Sequence, residues 1–141
     1  TAQNLRVTGE GKPASTAEVE MSLINYGFAA AFNLQSGFAI LDEDNRLVST
    51  VDSGSPETWY NRNPEQYADS RNLTHTLKAA VRLPDQPGRY KLAFYLKNTA
   101  GQYARLSNRL DVVNDPADPT VKQAEGTPTP TGFHILHVFD L

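Results

Sequence analysis

The strongest constraint on the fold is an alternation of apolar and polar side chains over residues 73–83, in which His75 and Ala80 are the two exceptions. An α-helix would scatter this pattern around its circumference, whereas a β-strand places successive side chains on opposite faces of a sheet. The segment therefore predicts a half-buried β-strand. Its inward face would carry Leu73, His75, Leu77, Ala79, Val81 and Leu83.

A second strand follows closely and predicts an antiparallel hairpin. Pro84, Pro87 and Gly88 interrupt the alternation, and such residues turn a chain. The pattern resumes over residues 90–97. It predicts an inward face of Tyr90, Leu92, Phe94 and Leu96 and an outward face of Lys91, Ala93, Tyr95 and Lys97.

The same two-residue period recurs along most of the chain. It predicts further strands over residues 5–7, 17–23, 38–41, 47–51, 103–113 and 133–141, with an acidic hairpin tip at residues 42–45. No stretch has a convincing helical period. About 7–9 short strands separated by turn signals predict an all-β fold, an antiparallel two-sheet β-sandwich of the immunoglobulin or jelly-roll kind. At 141 residues the chain has the length of a single domain.

Composition argues against several classes of function. The chain has no cysteine, which removes disulfides, thiolate metal sites and thiol nucleophiles. The formal net charge is −3 and the thirteen basic residues are scattered, so we expect no nucleic-acid partner. No apolar run approaches the ~20 residues of a membrane span, so we expect no membrane partner. Because the chain opens at Thr1 without a signal peptide, we expect a mature product or a C-terminal piece of a larger protein.

The histidines and the paired carboxylates do not form a recognisable catalytic set. His75 lies on the apolar face of its strand, which fits a core or interface histidine. His134 and His137 are three residues apart, so a regular strand would place them on opposite faces, where they cannot share a metal. Asp42 and Asp44 occupy an exposed hairpin tip, whereas general acid catalysis needs a desolvated carboxyl group. We therefore expect no enzyme activity.

Calcium is the metal that the acidic residues could serve, because it takes six to eight oxygen ligands. Two sets of carboxylates could supply some of these ligands. They are Asp42, Glu43 and Asp44, and Asp111, Asp115 and Asp118. Neither set has the spacing of a calcium-binding loop, and solvated turns explain both sets better. We expect no metal and no cofactor.

Two long segments, residues 52–72 and 114–132, lack a strand pattern. Loops of this length in a compact domain are usually either functional or disordered. The second is rich in proline, whereas the first concentrates aromatic and polar side chains. Sugar rings stack on aromatic rings, and amide or guanidinium groups bind their hydroxyls. The candidate ligand-binding residues are Trp59, Tyr60, Asn61, Arg62 and Tyr67.

Three roles for Trp59 stay open. In order of preference, it anchors the loop by folding inward, it packs against a neighbouring domain, or it stacks on a sugar directly. A large aromatic side chain is highly buried on average, which favours the anchor.

Several short motifs, taken in order, resemble a known family. They occur after the second strand, in the first long loop, on both sides of the central turn, and at the start of the last strand. In sequence they are Asn25-Tyr26-Gly27-Phe28-Ala29-Ala30, Trp59, Leu83-Pro84, Gly88-Arg89-Tyr90-Lys91-Leu92, Tyr103-Ala104-Arg105-Leu106-Ser107-Asn108 and Gly132-Phe133. Together they resemble an uncharacterised β-sandwich domain family found C-terminal to glycoside-hydrolase-like barrels in bacterial proteins. The resemblance covers about residues 19–141, and residues 111–131 depart from it by being longer and richer in proline.

This resemblance implies a non-catalytic accessory domain of a secreted or cell-surface bacterial protein that processes glycans. Its partner would be a catalytic barrel in the same polypeptide, which it would buttress. The alternative is a carbohydrate-binding module that recognises a glycan itself through loop aromatics. The two differ in their surfaces. A docking domain exposes a broad apolar patch, whereas a sugar site needs a few rings with a polar rim.

Replacing Trp59 with alanine separates the three roles of this residue. We expect Trp59→Ala to cost on the order of 3–5 kcal/mol in the free energy of unfolding, the usual range for a large buried aromatic. Thermal and denaturant unfolding of the isolated chain measure it. An unchanged melting temperature would contradict the anchor. Glycan-array binding would then distinguish a stacking platform from a domain interface.

Overall fold

The computed structural model describes residues 2–24, 35–54, 74–97, 103, 110–114 and 132–141, and these contain β-strands and no helix. The strands are β1 (Ala2–Thr8), β2 (Thr16–Ile24), β3 (Gln35–Asp42), β4 (Leu47–Gly54), β5 (Thr74–Arg82), β6 (Arg89–Lys97), β7 (Val112–Asn114) and β8 (Gly132–Asp140).

The strands form two antiparallel sheets, which confirms the predicted β-sandwich. One sheet has three strands in the order β1-β2-β5, and the other has five in the order β4-β3-β6-β8-β7. Every described pairing is antiparallel. The two edge strands β4 and β5 approach each other and join the sheets along one side. The predicted hairpin around residues 42–45 is confirmed as the β3–β4 hairpin.

The main core lies between the sheets and follows from the alternation in the sequence. The three-stranded sheet contributes six buried side chains, namely Val19, Met21, Leu23, Leu77, Ala79 and Val81. The five-stranded sheet contributes six more, namely Phe38, Ile40, Tyr90, Leu92, Phe94 and Leu96. The inward faces predicted for residues 17–23 and 90–96 are therefore confirmed. The face predicted for residues 73–83 is confirmed over residues 77–83, whereas Leu73 and the side chain of His75 lie outside what the structure describes.

The outer face of the five-stranded sheet corrects one prediction. Ala93 and Tyr95, which alternation places outward and solvated, are only 0% and 7% exposed. They belong to a second apolar cluster with Ala39, Leu41 and Phe133, against which further partly buried side chains pack. The error has a physical reason. Alternation assumes one wet face, whereas the central strands of this sheet are covered on both sides.

The two lysines expected to be exposed on β6 are half-buried instead. Lys91 reaches across to the β3–β4 turn, where its Nζ donates to Asn45 Oδ1 at 2.6 Å and to the Glu43 carbonyl at 3.4 Å. The Nζ of Lys97 lies over the ring of Tyr95, 5.7 Å from its centroid. Long aliphatic stems let both lysines cover apolar surface while their ammonium groups keep polar or aromatic contacts.

A β-bulge in β8 corrects the prediction about the histidine pair. His137 pairs with Leu92 but Ile135 already pairs with Ala93, so Leu136 is an extra residue in β8. His134 pairs with Phe94, and both Phe94 and Leu92 face the main core. Cross-strand partners share a face, so the bulge brings His134 and His137 to the same face rather than to opposite faces. His134 is fully buried and His137 is exposed.

The remaining strand predictions have mixed outcomes. The last strand is confirmed as β8, and the first is longer than expected, running over the whole of β1. Of the strand predicted over residues 103–113, most lies outside the described residues. Tyr103 forms a single bridge to Lys97, and β7 begins at Val112.

The apolar cluster on the outer face allows a test of whether the five-stranded sheet is packed on both faces. Gly37 pairs directly with Tyr95, and a methyl group at position 37 would overlap the Tyr95 ring. We expect Gly37→Ala to cost about 1–3 kcal/mol in the free energy of unfolding, as overpacking usually does. In a Tyr95→Leu background the same change should cost less, since the obstructing ring is gone. Equal costs in both backgrounds, measured by urea unfolding, would contradict this packing.

Candidate functional site

The five candidate ligand-binding residues, Trp59, Tyr60, Asn61, Arg62 and Tyr67, lie outside the described residues. The strands on both sides of their segment are described. β4 ends at Gly54 and β5 begins at Thr74, so the anchoring points of residues 55–73 are known.

One end of the sandwich, here called the short-turn pole, carries three compact connections. Residues 9–15 join β1 to β2, residues 43–46 join β3 to β4, and residues 83–88 join the two sheets from β5 to β6. Backbone hydrogen bonds link the first and the third of these: Ala14 donates to the Pro84 carbonyl at 2.9 Å and Leu83 to the Ser15 carbonyl at 2.8 Å. The chain also ends here, where the Leu141 amide donates to the Gly88 carbonyl at 2.9 Å.

The acidic hairpin tip belongs to this pole and is held by hydrogen bonds from backbone amides to the Asp42 side chain. Asp42 Oδ1 accepts hydrogen bonds from the amides of Asp44 at 2.9 Å and of Arg46 at 2.8 Å. Asn45 adopts a positive φ of 62°, a conformation that asparagine tolerates in turns. The carboxylate of Asp42 therefore shapes the turn.

The opposite end, here called the long-connection pole, gathers the other strand ends. β2, β4, β6 and β7 end there, and β1, β3, β5 and β8 begin there. Three connections, residues 25–34, 55–73 and 115–131, thus leave from and return to this pole. All five candidate residues fall in the second of these.

An aromatic cluster lies on the outer face next to the long-connection pole. Tyr95, Tyr103 and Phe133 contact one another edge-on, with ring centroids 5.6–6.3 Å apart. Lys97 Nζ sits over two of these rings, 5.7 Å from the Tyr95 centroid and 6.0 Å from that of Tyr103. Edge-on packing is a favourable arrangement for aromatic rings that fill an apolar cluster. This cluster rigidifies the end of β6, and the sequence pattern missed it because Tyr95 lies on the face assigned to solvent.

Polar side chains join β3 and β4 at the same pole. Gln35 Nε2 donates to Asp52 Oδ2 at 3.2 Å, and the hydroxyls of Ser36 and Ser53 are hydrogen-bonded at 2.8 Å. Gln35 and Asp52 are exposed. This edge therefore offers an amide and a carboxylate to a contacting molecule, beside an ammonium group on β6.

At the short-turn pole, one ion pair shifts the pKa values of both of its side chains. Arg89 Nε donates to Asp140 Oδ1 at 3.0 Å across paired ends of β6 and β8. The hydrogen bond from Arg89 and its charge lower the pKa of the Asp140 carboxyl, and the same contact raises the pKa of the Arg89 guanidinium. Both side chains are largely exposed, so solvent and salt screen the attraction.

Within the described ranges, no group of three His, Asp or Glu side chains is arranged to hold a metal ion. No helix in that part of the chain is long and apolar enough to cross a membrane. No protein-family model and no curated protein matches the sequence. The resemblance to the barrel-linked β-sandwich family stays a prediction.

The Arg89–Asp140 pair generates a pH test. A lowered folded-state pKa means that the pair contributes stability above the ordinary value of 3.8 and loses it as the pH falls through the folded-state pKa. We expect carboxyl NMR titration to give a midpoint for Asp140 below that value, and Arg89→Gln to raise the midpoint towards it. Arg82→Gln, which breaks the exposed Arg82–Asp85 pair instead, is the matched control. Equal midpoints in wild type and Arg89→Gln would contradict the assignment.

Proposed function

We propose that this chain is a non-catalytic accessory β-sandwich domain of a secreted bacterial glycan-processing protein. In this proposal it buttresses a catalytic barrel in the same polypeptide, and the long-connection pole forms the contact. The observation that carries the proposal is the segregation of connections, with compact turns at one pole and three long connections at the other.

This segregation suits a docking or recognition role. Loops held on a rigid scaffold carry much of the binding in β-sandwich proteins, where they cluster at the ends of the sheets. The scaffold is rigid here because β3 and β6, the strands at its centre, are buried on both faces. Strand ends that cannot move relative to one another hold their loops in a constant arrangement, which lowers the entropic cost of binding.

Three of the described side chains at the long-connection pole are polar, so they suit the rim of an interface and do not supply the broad apolar patch expected of a docking domain. Gln35 and Asp52 are exposed on β3 and β4, and the half-buried Lys97 is on β6. Interfaces between domains of one chain are more polar than obligate subunit interfaces, so such groups are suitable for the rim of one.

The second candidate is a carbohydrate-binding module that acts through the same pole. What favours it is the position of the aromatic-rich connection that holds Trp59, Tyr60 and Tyr67, since both of its ends lie at that pole. A glycan and a barrel domain would then compete for one surface, which makes the two candidates experimentally separable.

The test uses the full-length protein that carries this chain. We expect Gln35→Ala combined with Asp52→Ala to lower the melting temperature of that protein more than it lowers that of the isolated chain, because the double variant removes interface contacts. The matched control is Arg82→Ala combined with Asp85→Ala, an exposed pair at the short-turn pole. It should change both proteins equally.

Equal effects of the two double variants in the full-length protein would contradict docking through the long-connection pole. Saturable binding of a glycan by the isolated chain, abolished by Trp59→Ala without loss of folding, would favour the carbohydrate-binding module.

Catalysis is tested separately. We expect the isolated chain to turn over aryl glycosides and polysaccharides at background rates, because the sequence contains no recognisable set of nucleophile, base and orienting residue. Reducing-sugar and chromogenic assays measure this. Turnover that disappears when one carboxylate is replaced, with folding retained, would overturn the non-catalytic assignment.

A further inference from the structure

The unequal width of the two sheets leaves one side of the sandwich open. The sheets join along β4 and β5, and the three-stranded sheet ends at β1 while the five-stranded sheet continues through β8 to β7. Among the described strands, β1 therefore forms an edge of its sheet beside the inner face of β8. Its side chains are exposed along nearly its whole length.

Apolar side chains line this open side. Val7 pairs with Val19, a core residue only 2% exposed, so Val7 points towards the sandwich interior, yet it remains 43% exposed. Across the gap, Phe139 and Leu141 pack against the main core and are only partly buried. An inward-facing valine that stays this exposed marks core surface that the described strands leave uncovered.

Between these strands lies a cleft of about 230 Å³ at the short-turn pole. Its walls come from both sheets and are mainly aliphatic and aromatic, with Val7, Val19, Val81, Leu83, Leu92 and Phe139 among them. Three polar side chains, Thr8, His137 and Asp140, also line it. Asp140 is already paired with Arg89, and His137 is exposed.

The bulge in β8 is what turns His137 towards this cleft. Without the bulge, regular alternation would place His137, which comes three residues after His134, on the outer face. The ring of His137 lies nearly parallel to that of Phe139, at an interplanar angle of 13°. The cleft thus has an apolar interior and one uncommitted imidazole, which can donate or accept a hydrogen bond.

A strand from another molecule is a poor occupant of this side. β1 carries its own bulge between Gln3 and Arg6, and Asn4 there has a positive φ of 54°. Bulges at a free edge disturb the row of amides and carbonyls that an added strand would need. The cleft, by contrast, needs only a compact apolar group.

We propose that this cleft binds a small neutral ligand, an aromatic ring or branched aliphatic group whose polar end points to His137. Apolar cavities of about 150 Å³ accept benzene. This cleft has about 230 Å³, so it can accommodate a substituted ring. A sugar is unsuitable, because burying its hydroxyls against valine and leucine leaves them unsatisfied. The site lies at the pole opposite the proposed docking surface and does not depend on that function.

The experiment titrates the chain with p-cresol and follows methyl resonances by NMR. We expect saturable shifts of the methyl groups of Val7, Val19, Val81 and Leu83, with a Kd of about 1 mM or tighter, as the efficiency of small ligands allows. Val48 and Val138 are similarly exposed but lie outside the cleft, so their methyl groups should not move. Methyl β-D-glucoside at the same concentrations should leave all of these resonances unchanged.

A matched pair of variants tests the location. Val7→Trp should fill the cleft from its exposed edge and weaken p-cresol binding by on the order of 10-fold or more. Val138→Trp enlarges a side chain of comparable exposure (47%) on the other face of β8 and should leave binding unchanged. His137→Ala should weaken p-cresol but not toluene, which has no polar end.

Three results would overturn the proposal. One is the absence of saturable cleft shifts in the wild-type chain, which needs no variant to fold. Another is equal shifts inside and outside the cleft. The last is a concentration-dependent dimer that protects the Val7 methyl groups and is insensitive to p-cresol, which would assign the open side to a second copy of the chain.

Discussion

The contact between Phe38 and Phe94 is the interaction on which the rest of this sandwich depends. The two rings lie side by side on neighbouring central strands, with centroids 5.6 Å apart, and neither is exposed. Burying each contributes roughly 1.5–3 kcal/mol. Their neighbours Ala39 and Ala93 point the other way and are equally buried. β3 and β6 are therefore held from both sides, and the turns, edges and poles are arranged around a pair of strands that cannot shift register without exposing apolar surface on two faces.

This rigid centre explains why the periphery can differ so much from one side to another. At the short-turn pole, backbone hydrogen bonds close the connections and tie the chain end to Gly88. At the long-connection pole, three longer connections join the strand ends instead. Along the β1 side the sheets are mismatched in width, and the apolar interior reaches the surface as a cleft beside His137. The proposed docking surface and the proposed ligand cleft are compatible with each other because they lie at opposite ends of one scaffold.

Alternation predicted most of the fold because it records which side chains must leave water. The inward residues of β2, β5 and β6 and the β3–β4 hairpin all follow from it. It failed at Tyr95, where a face expected to be wet is covered, and at His137, where one inserted residue reverses the parity of the strand. Neither event leaves a local signal. The candidate ligand-binding residues in the segment after β4 rest on composition and loop length, which predict a role but no geometry.

The sequence by itself determined that this chain forms antiparallel strands, where the 9-residue strands β2, β5, β6 and β8 lie, and which side chains of β2, β5 and β6 enter the inter-sheet core. Those properties depend on neighbours two residues apart and on turn-forming residues between them. Only the tertiary structure decided that one sheet is wider than the other, that the wider one is buried on both faces, and that a bulge directs His137 to the cleft. These properties depend on contacts between residues far apart in sequence, such as Phe133 with Tyr95, and no local period encodes them.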